Sequence, residues 1–80
     1  MTQIEAEIIV GLADHGLRIA AAAKALFMAR NTLVYHVQKI RNETGLNPFD
    51  FHDMCYLLPK AKTVLGKYGT FVTDGGAKND

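Results

Sequence analysis

Residues 19–40 read IAAAAKALFMARNTLVYHVQKI, and this stretch decides the fold of the chain. It opens with an alanine-rich segment, and alanine has the highest helix propensity of all residues. A second helical pattern follows, in which Leu33, Val37 and Ile40 are spaced four and three residues apart and define one buried stripe. The stretch therefore predicts two helices, over 19–26 and 30–43, joined by a short turn.

Small and apolar residues stand where two such helices would touch. Ala23 is expected where the first helix presses on the second, and Leu26 and Met28 are expected to close the turn. An apolar edge that should pack against the core flanks the alanines and comprises Leu17, Ile19, Leu26 and Phe27. This arrangement is typical of a helix-turn-helix, in which the second helix enters the major groove of DNA.

The residues before this stretch predict one further helix, over 3–13. Thr2 and Glu5 have the spacing of a capping box, which opens a helix. Gly16 suits the left-handed position that follows a helix. The apolar positions recur at about one helical turn and are Ile4, Ile8, Ile9 and Leu12.

The residues after the stretch predict more helix and then a tail. Gly45 and Leu46 end the second helix of the motif, and Asp50 can cap a fourth. One face of that helix is expected to carry Phe51, Met54, Cys55 and Leu58. Pro59 either kinks it or opens a further short helix over 60–65.

The expected fold is therefore all-α, with four to five short helices that contain a helix-turn-helix in one domain over residues 1–65. Residues 66–80 are expected to form a flexible tail or short arm, because glycines punctuate them. Within that tail, residues 70–73 have the composition of a short strand.

Composition excludes several classes of protein. The chain has 80 residues, of which 49% are hydrophobic, and this share is too high for intrinsic disorder. No apolar run approaches the roughly 20 residues that span a bilayer, so a cytoplasmic domain is expected. The single cysteine, Cys55, excludes an internal disulfide and a cysteine-based zinc finger.

Charge is distributed unevenly along the chain. Net charge is only +1, yet residues 15–42 contain five basic residues and no acidic one. The five are Arg18, Lys24, Arg30, Lys39 and Arg41. A basic window in a balanced chain is typical of a nucleic-acid surface, although a solvated helix face without acids would look the same.

The face of the second motif helix that points away from the core follows from the helical period. Each residue advances about 100° around the axis, so Asn31, Tyr35 and Asn42 lie opposite Leu33. Thr32 and Lys39 lie beside them, and Arg30 begins the helix. Asn can pair with adenine and Arg with guanine, so this face has the chemistry to read base edges.

The run KALFMARNTLVYHVQKIRNETGL, residues 24–46, resembles the C-terminal helix-turn-helix domain of the PucR and sugar-diacid-regulator family. It is more distantly similar to the Fis-type DNA-binding domain. The resemblance covers about residues 4–58 and is most specific over RNTL at 30–33. Matches to the family pattern are Ala23, Lys24, Ala25, Leu26, Phe27, Arg30, Asn31, Thr32, Leu33, Tyr35, Lys39, Ile40, Thr44 and Gly45.

The resemblance implies sequence-specific DNA binding in bacterial transcription regulation, with double-stranded DNA as the partner. The candidate DNA-binding residues are Arg30, Asn31, Thr32, Tyr35, His36 and Lys39. Ala29 stands where the family usually has His, and Val34 and His36 stand where it usually has Arg. The loss of two cationic positions suggests weaker or differently specified binding.

Three other interpretations concern these same candidates and the oligomeric state. Asn31 and Thr32 could cap the helix instead of contacting DNA, and Tyr35 could be partly buried. A homodimer on two half-sites is expected, because one module buries limited surface on DNA. Helix 1, helix 4 or residues 70–73 could supply the dimer contact.

The main alternative function is a helical protein-interaction module without DNA binding, whose adhesive patch is the alanine-rich helix or the region of Phe49 and Phe51. An enzyme is not expected, because no nucleophile–base pattern or paired carboxylates are present. No cofactor or small-molecule site is predicted. His52 and Cys55 share a helical face but lack further ligands, so a buried Cys55 is expected rather than a metal site.

Overall fold

The computed structural model describes residues 1–66, which form four α-helices and no strand. The helices are α1 (Gln3–Asp14), α2 (Ile19–Ala25), α3 (Arg30–Thr44) and α4 (Phe51–Gly66). The prediction of an all-α fold is thereby confirmed. The tail predicted beyond Gly66 and the strand suggested at 70–73 lie outside the described residues.

Helix α1 lies at the centre of the fold. It packs against α2, α3 and α4, whereas α2 and α3 also pack against each other. Side chains from all four helices form the buried core, which comprises Ala6, Ile8, Ile9, Leu12, Ala22, Ala23, Leu33, Val37, Ile40, Met54, Leu57 and Ala61. The pair α2–α3 is therefore held on one scaffold helix, and α4 supports that scaffold.

The start of α1 shows one confirmed and one wrong prediction. The capping box is present: the Thr2 amide donates to Glu5 Oε1 at 2.9 Å, and the Glu5 amide donates to Thr2 Oγ1 at 3.2 Å. Ile4, which was expected in the apolar stripe, is 40% exposed, whereas Glu5 is only 1% exposed. The capping box gives Glu5 Oε1 a backbone donor, whereas Oε2 is buried without a hydrogen-bond partner within residues 1–66.

The end of α1 is a Schellman turn. The Leu17 amide donates to the Leu12 carbonyl at 2.7 Å, and Gly16 adopts the left-handed conformation with φ 65°. This confirms the predicted role of Gly16. Leu17 is also left-handed, with φ 63°, and its half-buried side chain packs against the core.

The segment between α3 and α4 is held by side-chain hydrogen bonds. Asp50 Oδ2 accepts from the Asp53 amide at 2.9 Å, which confirms Asp50 as the cap of α4. Asp53 Oδ2 in turn accepts from the Asn47 amide at 2.9 Å, and Asn47 Oδ1 accepts from the Phe49 amide at 3.0 Å. Pro48 is fully buried beneath this network.

Helix α4 runs without interruption through Pro59, so no separate fifth helix forms at 60–65. The face predicted for it is wrong in part. Met54, Leu57 and Ala61 are buried at a spacing of three and four, which points them at α1. Cys55 is exposed rather than buried, because it lies beside this stripe and not on it.

An open apolar groove lies between the end of α1 and the first half of α4. Its volume is about 380 Å³. Phe51 at its edge is 69% exposed, which departs from the packed position expected for it. The groove is lined by Ala13, Gly16, Leu17, Phe51, Met54, Cys55 and Leu58.

Replacement of Gly45 tests how α3 ends. Gly45 has φ 74°, and a Cβ there would meet no atom within 4 Å, so backbone strain alone penalises a side chain. We expect Gly45→Ala to cost about 1–2 kcal/mol, which lowers Tm by roughly 4–16 °C in a domain of this size.

Gly45→Asn is the matched control, because Asn tolerates the left-handed region better than Ala does. Its Tm should fall between those of the wild type and Gly45→Ala in the same thermal melts. Equal melting of the wild type and Gly45→Ala would contradict the role given to this glycine.

Candidate nucleic-acid interface

The turn between α2 and α3 is closed by apolar side chains, as predicted. Leu26 and Met28 are half-buried and pack against the core, and Ala23 is buried at the contact of the two helices. Helix α1 approaches this turn closely, since a Cβ on Gly11 would lie 3.0 Å from Leu26 Cδ1. Residues 19–44 thus form a helix-turn-helix whose orientation is set by α1.

Helix α3 has one buried and one exposed face. Leu33, Val37 and Ile40 are at most 1% exposed, which confirms the predicted stripe. Tyr35 is 61% exposed, so most of its side chain is open to solvent and a part of it is buried, as the alternative interpretation allowed. The exposed face carries hydrogen-bonding side chains, namely Asn31, Thr32, Tyr35, Gln38 and Asn42.

Two of the six candidate residues lie at the edge of this face. Lys39 is half-buried. His36 is also half-buried, because it lies only about 60° from Leu33 around the helix. Its Nδ1 is buried without a hydrogen-bond partner within residues 1–66, and its ring meets Tyr35 edge-on at 5.3 Å between centroids.

The amino end of α3 has no side-chain cap. Its N-cap residue is Ala29, and Asn31 and Thr32 both lie inside the helix, so the interpretation of these two as caps is wrong. The Leu33 amide, which donates to the Ala29 carbonyl at 3.1 Å, begins the helical hydrogen bonds. The amides of residues 30–32 are therefore available to an external acceptor, such as a phosphate oxygen.

The capping pattern separates the four helices into two pairs. Thr2 caps α1 and Asp50 caps α4, both through side-chain oxygens. Arg18 at the start of α2 and Ala29 at the start of α3 make no such bond. The two scaffold helices are capped, and the two helices of the motif have open amino ends.

The open end of α3 carries positive charge. Arg30 is its first residue and is exposed, and no acidic residue lies in the first turn. The helix dipole adds partial positive charge at the same end. Of the five basic residues at 15–42, Lys39 is half-buried and the others are exposed. This end of the molecule therefore favours an anion.

Two residues of this region were not predicted as exposed candidates. Gln38 shares the outward face of α3, at about 140° from Leu33, and the helical period alone would have placed it there. Phe27 was expected to pack with the apolar edge of α2, and this is wrong, because it is 96% exposed. Phe27 occupies a left-handed turn position with φ 56°, a conformation that sequence patterns assign to glycine.

Other kinds of site were sought in the part of the chain that the structure describes. There, no three His, Cys, Asp or Glu side chains lie close enough together to hold a metal ion. None of the four helices is both long and apolar enough to cross a bilayer.

A comparison with protein families agrees with this geometry. The family model of the PucR C-terminal helix-turn-helix domain matches residues 7–58, which run from α1 into α4 and include the whole motif. No curated protein and no solved structure gave a significant match. Because the family match covers more than half of the 80 residues, the chain belongs to the PucR C-terminal helix-turn-helix family.

Proposed function

We propose that this chain is a sequence-specific DNA-binding module of a bacterial transcription regulator, and that α3 reads the major groove. The observation that carries the proposal is the exposed face of α3, which is polar and basic and continues into an open amino end beside Arg30. Family membership supports the same conclusion. A protein that binds the bacterial chromosome works in the cytoplasm.

Phosphate contacts supply the affinity in this proposal. The free amides at the start of α3 and exposed Arg30 belong to the same first turn, and Lys39 lies on the flank of the same helix. Contacts of this kind fix the protein on the duplex and release condensed counterions, so binding weakens as salt rises.

Base contacts supply the specificity. Asn31 lies in the first turn of α3, which enters the groove most deeply, and an asparagine amide can pair bidentately with adenine. Thr32 and Tyr35 can reach bases or phosphates from the same face. His36 is the weakest of the six candidates, because burial of one ring nitrogen limits its reach.

We also propose that the chain binds as a homodimer. A single small module buries only about 600–1,000 Å² on DNA, and two copies on half-sites one helical turn apart would double that surface. Helix α4 packs on α1 and not on the motif, so a second copy in contact with α4 would leave both α3 helices free.

A protein-interaction module is the second candidate function, and the groove between α1 and α4 favours it. Its apolar lining and the exposed Phe51 ring could receive a side chain from another protein. Such a module would show no salt-dependent affinity for DNA. The two candidates are therefore separated by one binding experiment.

Fluorescence-anisotropy titration of a random-sequence duplex at several salt concentrations tests the proposal. We expect steep salt dependence, and Arg30→Ala/Lys39→Ala should reduce the slope of log K against log salt by about 2, since each phosphate contact contributes about 0.9. Lys60→Ala/Lys62→Ala on α4 is the matched control: it removes the same charge from exposed positions and should leave the slope nearly unchanged.

Two outcomes of this titration would contradict the proposal. If the folded wild-type chain fails to bind at low salt, DNA binding by this module is rejected and the interaction module becomes the leading candidate. If both double variants reduce the slope of log K against log salt equally, the attraction to DNA depends on total charge and not on α3.

A variant with two added arginines tests whether further cationic side chains on α3 strengthen DNA binding. Val34 and His36 are half-buried at positions where the family usually has arginine. Val34→Arg/His36→Arg should steepen the salt slope by up to about 2 and tighten binding several-fold. Tyr56→Arg/Thr63→Arg adds the same charge on α4 as a control, and equal affinity of the α3 variant and wild type would remove the idea.

A further inference from the structure

The turn of the helix-turn-helix contains a strained residue. After α2, the Met28 amide donates to the Ala23 carbonyl at 3.0 Å and the Phe27 amide donates to the Lys24 carbonyl at 3.2 Å. These two bonds form a Schellman turn, in which Phe27 takes the left-handed position with φ 56°. A residue with a Cβ pays an energetic penalty in this conformation.

The other helix ends show that the fold does not need a phenylalanine there. Gly16 after α1 and Gly45 after α3 take the equivalent left-handed position with φ 65° and 74°. Leu17 is also left-handed without being glycine, but its side chain is half-buried against the core. Phe27 is 96% exposed, so packing within residues 1–66 does not offset its strain.

The position of Phe27 places it beside the proposed DNA-reading end of α3. Phe27 and Arg30 are three positions apart in the sequence, so the two Cα atoms lie within about 11 Å of each other. The major groove is about 12 Å wide. When the amino end of α3 enters the groove, an exposed ring at this distance is close enough to contact the groove wall.

We propose that Phe27 is an apolar DNA contact, whose ring packs against carbon surface on the wall of the major groove. The surface is either deoxyribose or the methyl group of thymine, both of which are apolar. This inference rests on the proposed function of α3. The strain of Phe27 is then offset in the bound state, in which the ring, exposed in the free protein, loses contact with water.

The charges around the ring favour an anionic partner such as DNA over an uncharged apolar protein surface. Lys24 precedes Phe27 by one turn and Arg30 follows it, and both side chains are exposed. Ala29 between them is small and exposed, so it leaves room for a phosphate backbone beside the ring. Alternating cationic and apolar groups match the alternation of phosphates and sugars along a groove wall.

Phe27→Gly tests the inference, because its effects on folding and binding should have opposite signs. Glycine relieves the left-handed strain, so Tm should stay equal or rise by up to about 5 °C. Affinity for the duplex should fall by roughly three- to tenfold, as for lost partial burial of one aromatic ring. The salt slope should not change, whereas Arg30→Ala should reduce it by about 1.

Two further variants distinguish the ring from the backbone. Phe27→Asn also tolerates the left-handed conformation but lacks the ring, so it should weaken binding as glycine does. Phe27→Tyr keeps the ring and should bind within twofold of wild type. Duplexes with deoxyuridine in place of thymidine distinguish the two surfaces. If the ring contacts the thymine methyl group, Phe27→Gly should no longer weaken binding to these duplexes. If the ring contacts deoxyribose, Phe27→Gly should weaken binding to them as it does to the thymidine duplex.

The outcomes that overturn the inference are separable from failure of the proposed function. If Arg30→Ala weakens binding and Phe27→Gly does not, the function stands and the ring contact is rejected. If Phe27→Gly lowers both Tm and affinity, the ring supports the fold and the inference is wrong. If the wild-type chain does not bind the duplex at all, both proposals fall.

Discussion

The packing of α1 against the three other helices is the interaction on which the rest of the structure depends. Ile8, Ile9 and Leu12 are completely buried, and they meet side chains from α2, α3 and α4 in one core. Gly11 lets the backbone of α1 come close to Leu26, which closes the turn of the motif. A chain this small can bury only one core, so α1 and the direct contact between α2 and α3 together set the orientation of the motif.

The four helices differ in how their amino ends are satisfied. Both helices with side-chain caps, α1 and α4, form the scaffold, where a satisfied amino end stabilises the fold. The motif helices α2 and α3 lack that stabilisation, and the amide hydrogens of their first turns have no side-chain acceptor. An uncapped amino end lowers the stability of a helix but can bind an anion. In this chain, basic residues stand at both uncapped ends, Arg18 before α2 and Arg30 at the start of α3.

Sequence was sufficient where a local signal and the tertiary environment agreed. The stripe of α3, the capping residues and the glycine after α3 are each dictated by spacing or backbone conformation, and all were predicted. Ile4 and Cys55 were assigned wrongly because a periodic apolar pattern does not tell which edge of the stripe a neighbouring helix covers. Phe27 was missed because apolar character predicts burial, and here a left-handed turn leaves the ring in solvent.

The hydrogen-bonded segment between α3 and α4 has a consequence for how such a module can be controlled. Asp53 and Asn47 fix the path of residues 45–50, and buried Pro48 anchors it to the core. The carboxyl end of α3 is consequently tied to the amino end of α4. If α3 contacts DNA as proposed, a change of affinity follows more readily from the spacing or availability of whole modules than from a bend at this end of the helix.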